Sequence, residues 1–332
     1  MNISNKFFQK KEAPVQKTIE YKINHFLEQK ENNEKPYIKI HYKDFNVSFD
    51  EYRDLTRNLD EKSIITISRM INRIKLIQED ETIKYKDILS DEELLSVKKL
   101  QYEFYDAIME FDNGLWTYKN YVLPVKGFTN SVFYFNHCMD ENLNYNYFKN
   151  KDIIDLGAYI GDSAIVLSKY TNKNVLSFEG SPVNFEILKK TIALNNVKNV
   201  IPVNYAVSDE AKTVYFTPNY SSAAHIISDE IQNKEDYTAI NTITLDEYIE
   251  KNNIKAGLIK VDIEGAEQSF LRGAKETIKK QKPTLLLSIY HNASDLIHIK
   301  PMIESWDLGY KFRIKKSYDG CIFGETMLIC EV

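Results

Sequence analysis

The sequence is short of cysteine, of excess basic charge and of long apolar runs. Its cysteines, Cys138, Cys321 and Cys330, lack the spacing of a metal site, which favours a reducing, cytoplasmic compartment. A net charge of −5 argues against bulk nucleic-acid binding, which needs a basic face. No apolar run is long enough for a membrane span, and residues 1–11 lack the apolar core of a signal peptide. We therefore expect a globular protein that binds no nucleic acid and does not cross a membrane.

Hydrophobic residues make up 43% and charged residues 27% of the chain, as in globular proteins. The abundance of Asn, Lys, Ile and Tyr is typical of AT-rich bacterial genomes. Over residues 50–111 apolar residues recur at helical spacing, and Ser90 with Glu93 forms a capping box. From Lys151 strands alternate with helices, which indicates a parallel sheet. We predict a mainly helical domain over residues 1–115 and a Rossmann-like α/β domain over residues 116–332.

Shorter elements are predicted around the first half of this pattern. A helix is expected over residues 15–26 and a short strand over residues 37–40. Residues 121–124 and 131–134 are interpreted as strands of a lead-in that covers the cofactor cleft. His137 lies in this lead-in, where we expect a lone histidine to be structural rather than catalytic.

Two hairpins are predicted in the α/β part. Residues 212–241 interrupt the alternation and predict an inserted hairpin with a loop of small residues over 219–224. The hairpin is suited to gripping a second substrate, and its small, polar composition fits a flexible lid equally well. The last two strands are joined through Asp319-Gly320, which predicts an antiparallel hairpin at the end of the sheet. Such an ending differs from the dinucleotide-binding arrangement.

The stretch from Asp152 to Ser163 is an apolar strand followed by a glycine turn and a helix start. Gly157 and Gly161 permit positive φ angles and close backbone approach. A strand that leads through such a turn into a helix forms a nucleotide cradle. Asp155 would repel a phosphate but suits the ammonium and sulfonium of S-adenosylmethionine, and the third glycine of the dinucleotide motif is absent. An ordinary strand-turn-helix is the alternative.

Glu179 ends the second strand of the alternation. An acid there accepts hydrogen bonds from both ribose hydroxyls of a nucleoside. Because nicotinamide dinucleotides and S-adenosylmethionine both use this acid, Glu179 does not separate the two cofactors, and a solvated surface acid is the alternative. The predicted cofactor-binding residues are Asp155, Gly157, Ala158, Tyr159, Gly161, Asp162, Ser163, Glu179, Gly180, Ser181, Ala206, Val207 and Asp262.

The fourth strand, over residues 257–262, has charged residues at alternate positions, Lys260, Asp262 and Glu264. A central parallel strand is normally apolar, so charges are tolerated only near its carboxyl end, paired and facing a cleft. We predict that these residues belong to the catalytic site; a self-satisfied ion-pair network is the alternative. His291 follows the fifth strand and is expected beside Asp262, because neighbouring parallel strands end at the same edge of a sheet.

Five motifs of the chain resemble the FkbM family of S-adenosylmethionine-dependent methyltransferases. They are Asp155-Leu156-Gly157-Ala158-Tyr159-Ile160-Gly161-Asp162, Phe178-Glu179, Ala206-Val207-Ser208-Asp209, Thr244-Leu245-Asp246 and Lys260-Val261-Asp262-Ile263-Glu264-Gly265-Ala266-Glu267. The resemblance covers about residues 121–332 and departs from the family at Tyr159, where Asn is frequent, and at Gly180, where Pro is frequent. It implies a class I methyltransferase sheet of seven strands, S-adenosylmethionine as the cofactor, and O-methylation of a sugar, a glycan or a secondary metabolite. A surface-glycan or sugar-nucleotide hydroxyl is the preferred acceptor.

Methyl transfer to a hydroxyl is faster when a base removes the hydroxyl proton. His291, held by Asp262, is the candidate base, because an unperturbed pKa of about 6.5 suits neutral pH. A structural pair of Asp262 and His291 that only joins two loops is the alternative. Alternatively, Asp262 and a neighbouring acid hold Mg²⁺, which would acidify a bound hydroxyl. Outside methyl transfer, a nicotinamide-dependent oxidoreductase and a non-catalytic binding protein remain alternatives. The sequence leaves open whether the chain forms a homo-oligomer.

Overall fold

The computed structural model describes residues 19–216, 226–227 and 238–332. The loop predicted over residues 219–224 and the start of the predicted helix over 15–26 lie outside the described residues. The helices are α1 (Ile19–His41), α2 (Phe49–Thr56), α3 (Glu61–Glu79), α4 (Tyr85–Ile88), α5 (Asp91–Glu103), α6 (Asn130–Phe133), α7 (Tyr145–Phe148), α8 (Asp162–Leu167), α9 (Pro182–Leu194), α10 (Leu245–Asn252), α11 (Glu267–Gly273), α12 (Lys275–Gln281) and α13 (Ala293–Glu304). The strands are β1 (Met109–Glu110), β2 (Trp116–Tyr118), β3 (Tyr121–Leu123), β4 (Asp152–Leu156), β5 (Val175–Phe178), β6 (Val200–Val203), β7 (Ala206–Val207), β8 (Thr213–Phe216), β9 (Ile226–Ile227), β10 (Thr238–Ile243), β11 (Ala256–Val261), β12 (Thr284–Ser288), β13 (Lys311–Lys316) and β14 (Thr326–Glu331).

A seven-stranded sheet with the order β13-β14-β12-β11-β4-β5-β6 forms the centre of the molecule. Strands β12, β11, β4, β5 and β6 are parallel to one another, whereas β14 pairs antiparallel with both β12 and β13. This confirms the predicted α/β sheet and its closing antiparallel hairpin. Because β14 runs against the other strands, its start lies at the same edge as the carboxyl ends of β4, β5, β11 and β12.

Apolar side chains fill both faces of this sheet, because successive residues of a strand point to opposite faces. Ile154 of β4 and Ile259 of β11 belong to one core cluster, and the adjacent Ile153 and Leu258 belong to a second cluster. The central strands are therefore buried on both faces, as is normal for parallel strands. This packing makes a rigid support for the residues at the carboxyl edge.

The N-terminal helices pack on the edge of the sheet that contains β13. The Ser63 hydroxyl of α3 accepts a hydrogen bond of 2.8 Å from the backbone N–H of Ile314. Leu27 and Ile38 of α1 and Ile67 of α3 belong to the same core cluster as one face of the central strands. The helical part and the sheet therefore share a continuous core, while the predicted domain boundary near residue 115 stays a prediction.

Two of the predicted short strands are wrong. Residues 37–40 belong to α1, which continues through Pro36 and buries Ile38 against the core. Residues 131–134 lie in α6 and its end, where Val132 and Phe133 pack in a cluster of apolar side chains. In both segments tertiary packing outweighs the local β-propensity. The strand over 121–124 is confirmed as β3, and the capping box at the start of α5 is confirmed.

A second, smaller sheet has the order β7-β10-β8-β9. Strands β8 and β10 pair antiparallel, so the predicted inserted hairpin is confirmed in its described strands. Strand β7 pairs in parallel with β10 and connects this hairpin to the end of β6. Within the described ranges, none of the helices combines the length and the apolar character needed to cross a membrane.

Candidate functional site

The turn after β4 has a left-handed backbone at Gly157, Tyr159 and Gly161, with φ angles of 74°, 46° and 85°. A Cβ atom on Gly157 would stand 1.8 Å from the carbonyl oxygen of Asp262, which follows β11. A Cβ atom on Gly161 would stand 2.6 Å from the side chain of Leu188 in α9. Both glycines are therefore needed for backbone conformation and for close approach. Tyr159 adopts the same left-handed conformation at the usual cost for a residue with a side chain.

Asp155 is completely buried behind this turn. Its Oδ1 atom lies 3.1 Å from Nζ of Lys260, and its Oδ2 atom accepts a hydrogen bond of 2.9 Å from the Ser163 hydroxyl. Nζ of Lys260 also donates to the carbonyl of Gly157 at 2.9 Å. Burial opposes the charge of Lys260, but the carboxylates around it outweigh burial and raise the pKa of Lys260. Asp155 thus neutralises Lys260 beneath the turn.

Glu179 follows β5 and lies beside the glycine turn. Its carboxylate accepts backbone hydrogen bonds from Tyr159 and Ser181, each 2.8 Å long. Burial raises the pKa of Glu179 to about 7. An ionised carboxylate offers about four lone-pair sites, so acceptor capacity remains for further donors. Donors of this kind stabilise the charged form, and ribose hydroxyls would supply them.

A cavity of about 560 Å³ lies over the carboxyl edge of the sheet. It extends from Glu179, after the end of β5, to Glu264, after the end of β11, and Glu325, just before the start of β14. Most of the predicted site residues line it: Gly157, Tyr159, Asp162, Ser163, Glu179, Gly180, Ser181, Ala206, Val207, Lys260, Asp262 and Glu264. The predicted residues Asp155, Ala158, Gly161 and His291 lie behind its wall.

His291 is enclosed by carboxylates on both sides of its ring. Nδ1 lies 2.9 Å from Oε1 of Glu267, and Nε2 lies 3.2 Å from Oδ1 of Asp262. Burial disfavours a charged ring, but the carboxylates of Glu267 and Asp262 outweigh it and hold the pKa of His291 well above its ordinary value. The ring is therefore an imidazolium with a carboxylate beside each nitrogen. A general base needs a neutral imidazole, so this geometry does not favour the predicted role of His291.

Asp262 and Glu264 line the same cavity but differ in acidity. Burial disfavours the ionised form of Asp262, yet hydrogen bonding to the charged His291 ring holds the pKa of Asp262 below its ordinary value. Burial raises the pKa of Glu264 to about 7. Asp262 is therefore a permanent negative charge at neutral pH, whereas Glu264 binds and releases a proton near neutral pH.

Asp262, Glu267 and His291 place possible metal-ligand atoms within 4.8 Å of one another. The imidazole stands between the two carboxylates, and the Glu267 carboxylate also accepts backbone hydrogen bonds from Ile263 and Gly265 at 3.0 and 2.9 Å. Mg²⁺ prefers an octahedral shell of oxygen ligands, several of them water. The three residues fit an ion-paired cluster and do not fit the predicted Mg²⁺ site.

Sequence reasoning missed the contributions of Glu267, Glu325 and His137 to this site. Glu267 holds both the turn after Asp262 and the His291 ring, although it belongs to the same charged run of sequence. Glu325 directly precedes β14, and its position follows only from the antiparallel pairing of that strand. His137 lines the cavity from a segment before β4 that has no recognisable motif.

Comparison with known proteins finds methyltransferases. The family model of the methyltransferase FkbM domain matches residues 155–312. The methyltransferase sdnD of Sordaria araneosa is 28% identical in an alignment that covers 42% of this chain and 65% of that protein. The crystal structure of a methyltransferase FkbM from Methylobacillus flagellatus has the same fold, with a TM-score of 0.53 and 19% identity.

That structural match covers 85% of this chain and 58% of the other. The chain thus spans less than two thirds of the length of either relative. The matched domain begins at Asp155, under the glycine turn, and it includes Glu179, the Lys260–Glu267 run and His291. Domain match, relative and fold agree with the motifs, and residues 155–312 of the chain match a methyltransferase FkbM domain.

Proposed function

We propose that this protein transfers a methyl group from S-adenosylmethionine to a hydroxyl of a sugar, a glycan or a secondary metabolite. One observation carries the proposal: a single cavity joins the Glu179 carboxylate to the charged run after β11. The Glu179 carboxylate is suited to binding a nucleoside, and the charged run after β11 is suited to proton transfer. The match of residues 155–312 to the methyltransferase FkbM domain supports the same reaction class.

The residues of the cavity fit the cofactor. Glu179 is a buried acid with remaining acceptor capacity, as a ribose-binding residue needs. Gly157 lets the turn lie against the carbonyl oxygen of Asp262, where a Cβ atom would clash at 1.8 Å, and Tyr159, Gly180 and Ala206 line the wall nearby. The carboxylates of Asp162 and Asp262 suit a cationic ligand. When bound, S-adenosylmethionine supplies an activated methyl group.

Glu264 is the residue that we propose to take the acceptor proton. Its carboxylate lines the cavity, and its pKa of about 7 matches the pH at which a general base works best. A positioned base contributes about 100- to 10,000-fold to a rate. Asp262, which stays ionised, would accept a hydrogen bond from the acceptor and orient it.

His291 has a positioning role in this proposal. Its imidazolium fixes the Asp262 carboxylate at 3.2 Å and lies 3.6 Å from the Glu264 carboxylate. A buried cation at this place keeps Asp262 ionised, because it offsets the cost of burying the carboxylate. His291 then acts through its neighbours and does not touch the acceptor.

Mass spectrometry of glycan and small-metabolite pools tests the proposed reaction. Cells that express the wild-type chain are compared with cells that express Asp262→Asn at equal protein level. We expect a molecule that gains one methyl group only with the wild type, and fragmentation that places this methyl on oxygen. Identical pools, or a methyl group placed on nitrogen or carbon, would contradict O-methylation.

A further inference from the structure

The cavity has an acceptor end, formed by Asp262, Glu264, Glu325 and His137, that lies away from Glu179. We infer that this end binds a hydroxyl acceptor that carries a protonated amine close to the methylated oxygen, and that it discriminates against phosphorylated acceptors. The inference rests on the proposed function and names the chemical class of its acceptor. It narrows the predicted acceptors, because a sugar nucleotide has a diphosphate and would be excluded.

The position of the acceptor end follows from the sheet. Glu179 follows β5, toward one side of the strand order, and Asp262 and Glu264 follow the central strand β11. Glu325 directly precedes β14, which lies two places beyond β11. A ligand whose ribose contacts Glu179 therefore leaves the β11–β14 side of the cavity to the second substrate.

Negative charge is in excess at this end. Lys260 is neutralised by Asp155, at 3.1 Å, and the imidazolium of His291 is held between Glu267 and Asp262. Lys30 of α1 attracts the Glu325 carboxylate electrostatically without an ion pair between them among the described contacts. Glu264 shares the His291 ring, at 3.6 Å, with Asp262 and Glu267, and Glu325 has no ion pair within the described part of the chain. Carboxylates therefore outnumber cations at this end.

Burial raises the pKa of both Glu264 and Glu325 to about 7, and the two carboxylates also repel each other. An ammonium group between them would favour their ionised forms, since an opposite charge nearby lowers the pKa of a carboxyl group. A phosphate would add to the repulsion. The electrostatics of the acceptor end thus match a cation and oppose an anion.

His137 is a second and independent sign of a polar ligand. Its side chain is 5% exposed and lines the cavity, and its Nε2 atom has no hydrogen-bond partner among the described residues. Burial lowers the pKa of His137 to about 4, so the ring is neutral at physiological pH. A neutral ring accepts a hydrogen bond from a hydroxyl or an ammonium group. It carries no positive charge that would attract an anion.

His137 and Glu325 both lie outside the matched family domain, which spans residues 155–312. His137 sits in a run of left-handed residues, with φ angles of 47°, 51° and 63° at Asn136, His137 and Cys138. Such strained backbone persists only where the surrounding structure holds it in place. The proposed selectivity for the acceptor therefore rests in part on residues outside the matched domain.

Calorimetry on the full chain saturated with S-adenosylhomocysteine tests this inference without turnover. The probes are glucosamine, glucose and glucose 6-phosphate, which differ in charge on one sugar skeleton. We expect glucosamine to bind at least about tenfold more tightly than glucose, and glucose 6-phosphate to bind most weakly. Glu325→Gln should lower the preference for glucosamine several-fold, with the Kd of S-adenosylhomocysteine unchanged within about a factor of two.

Glu92→Gln, at an exposed position of α5, is the matched control and should leave all four affinities unchanged. Equal binding of glucosamine and glucose, tighter binding of the phosphate, no binding of any probe, or an undiminished preference in Glu325→Gln would overturn the inference. If the wild type does not bind S-adenosylhomocysteine, the proposed function is overturned, and the inference with it.

Discussion

Single residues place several buried charges at this site, and each charge depends on its partners. Lys260 is 2% exposed and His291 is 2% exposed, yet both are cations. Taking a charge out of water is costly unless paired groups compensate it. The carboxylates of Asp155, Glu267 and Asp262 provide that compensation. Removing one partner leaves the others buried without a counter-charge.

We predict that His291→Ala destabilises the protein by about 3–5 kcal/mol, because it leaves the Glu267 and Asp262 carboxylates unpaired. Chemical denaturation of the purified variant measures this change. His298→Ala, at an exposed position of the same helix that follows His291, is the control and should have little effect. If His291→Ala were as stable as the wild type and lost about a hundredfold or more in turnover, the general-base role of His291 would replace the positioning role.

Spacing alone placed several of these residues. Lys260, Asp262 and Glu264 were expected at one edge because charges are tolerated only there in a buried strand, and all three line the cavity. The role of Asp155 was not predictable from the sequence. Its partner could be a ligand or Lys260, and the register of β4 and β11, which places Lys260 opposite Asp155, decides between them. Glu325 and His137 depend on long-range packing that no local pattern encodes.

Among the elements, the turn between β4 and α8 is closely constrained by its surroundings. Its first glycine has a φ of 74° and also faces the carbonyl oxygen of Asp262, which follows β11. Positive φ and close approach are separate requirements, and the chain offers a way to separate them. Gly114, in the turn between β1 and β2, has a φ of 78°, and a Cβ atom added there would meet nothing within 4 Å.

We predict that Gly114→Ala costs about 1–2 kcal/mol, the cost of a left-handed backbone with a side chain. Gly157→Ala should cost clearly more and should weaken binding of S-adenosylhomocysteine, because the new methyl group forces the turn away from Asp262. Denaturation and calorimetry of the two variants measure both effects. Equal destabilisation of the two variants with unchanged binding would show that close approach at Gly157 is unimportant.

Elements that are buried on both faces were predictable, and elements at the periphery were less so. The runs of β4 and β11 are apolar enough to be recognised as parallel strands. The segment 131–134 has the aromatic and β-branched residues that are typical of a strand. It nevertheless lies in α6 and its end, because the helical conformation buries Val132 and Phe133 in an apolar cluster. Pro36 would normally end a helix, yet α1 continues past it.

At the scale of the whole molecule, the N-terminal helices support the acceptor end of the cavity. The hydroxyl of Tyr37, in α1, donates to the backbone carbonyl of His291 at 2.6 Å. The hydroxyl of Tyr42, just after α1, donates to the backbone carbonyl of Tyr290 at 2.8 Å. These bonds fix the segment after β12 from behind the cavity. The first helix is therefore connected to the same cluster that holds Asp262.

A second contact from α1 fixes the segment before β14. The Glu34 carboxylate accepts backbone hydrogen bonds from Ile322 and Gly324, at 2.9 and 3.0 Å. Glu325 is the next residue along the chain, so α1 also sets the position of this carboxylate. The sequence predicted that the helical part assists acceptor binding or assembly, and these contacts give a physical route for the former.

Removing residues 1–115 tests whether the two predicted domains are separable. The sequence alone predicts that residues 116–332 keep cofactor binding. The shared core changes our expectation, because the truncation exposes apolar side chains and leaves the backbone N–H of Ile314 without its Ser63 partner. We predict loss of a cooperative unfolding transition, with partial recovery when residues 1–115 are co-expressed as a separate chain. A fragment 116–332 that unfolds cooperatively and binds S-adenosylhomocysteine like the full chain would establish two independent domains.

Glu179 and the glycine turn are proposed to bind S-adenosylmethionine rather than a nicotinamide dinucleotide. Calorimetric titration of the full chain with S-adenosylhomocysteine and, separately, with NAD tests it most directly. Glu186→Gln, at an exposed position of α9, is the control for Glu179→Gln. Both substitutions remove one carboxylate charge, but only Glu179 lines the cavity.

We predict that the wild type and Glu186→Gln bind S-adenosylhomocysteine equally well and do not bind NAD. Glu179→Gln should bind S-adenosylhomocysteine about ten- to a hundredfold more weakly, since a hydrogen bond to a charged group contributes about 1.5–3 kcal/mol. Binding of NAD in place of S-adenosylhomocysteine, or an unchanged affinity of folded Glu179→Gln for S-adenosylhomocysteine, would contradict this assignment of the cofactor site.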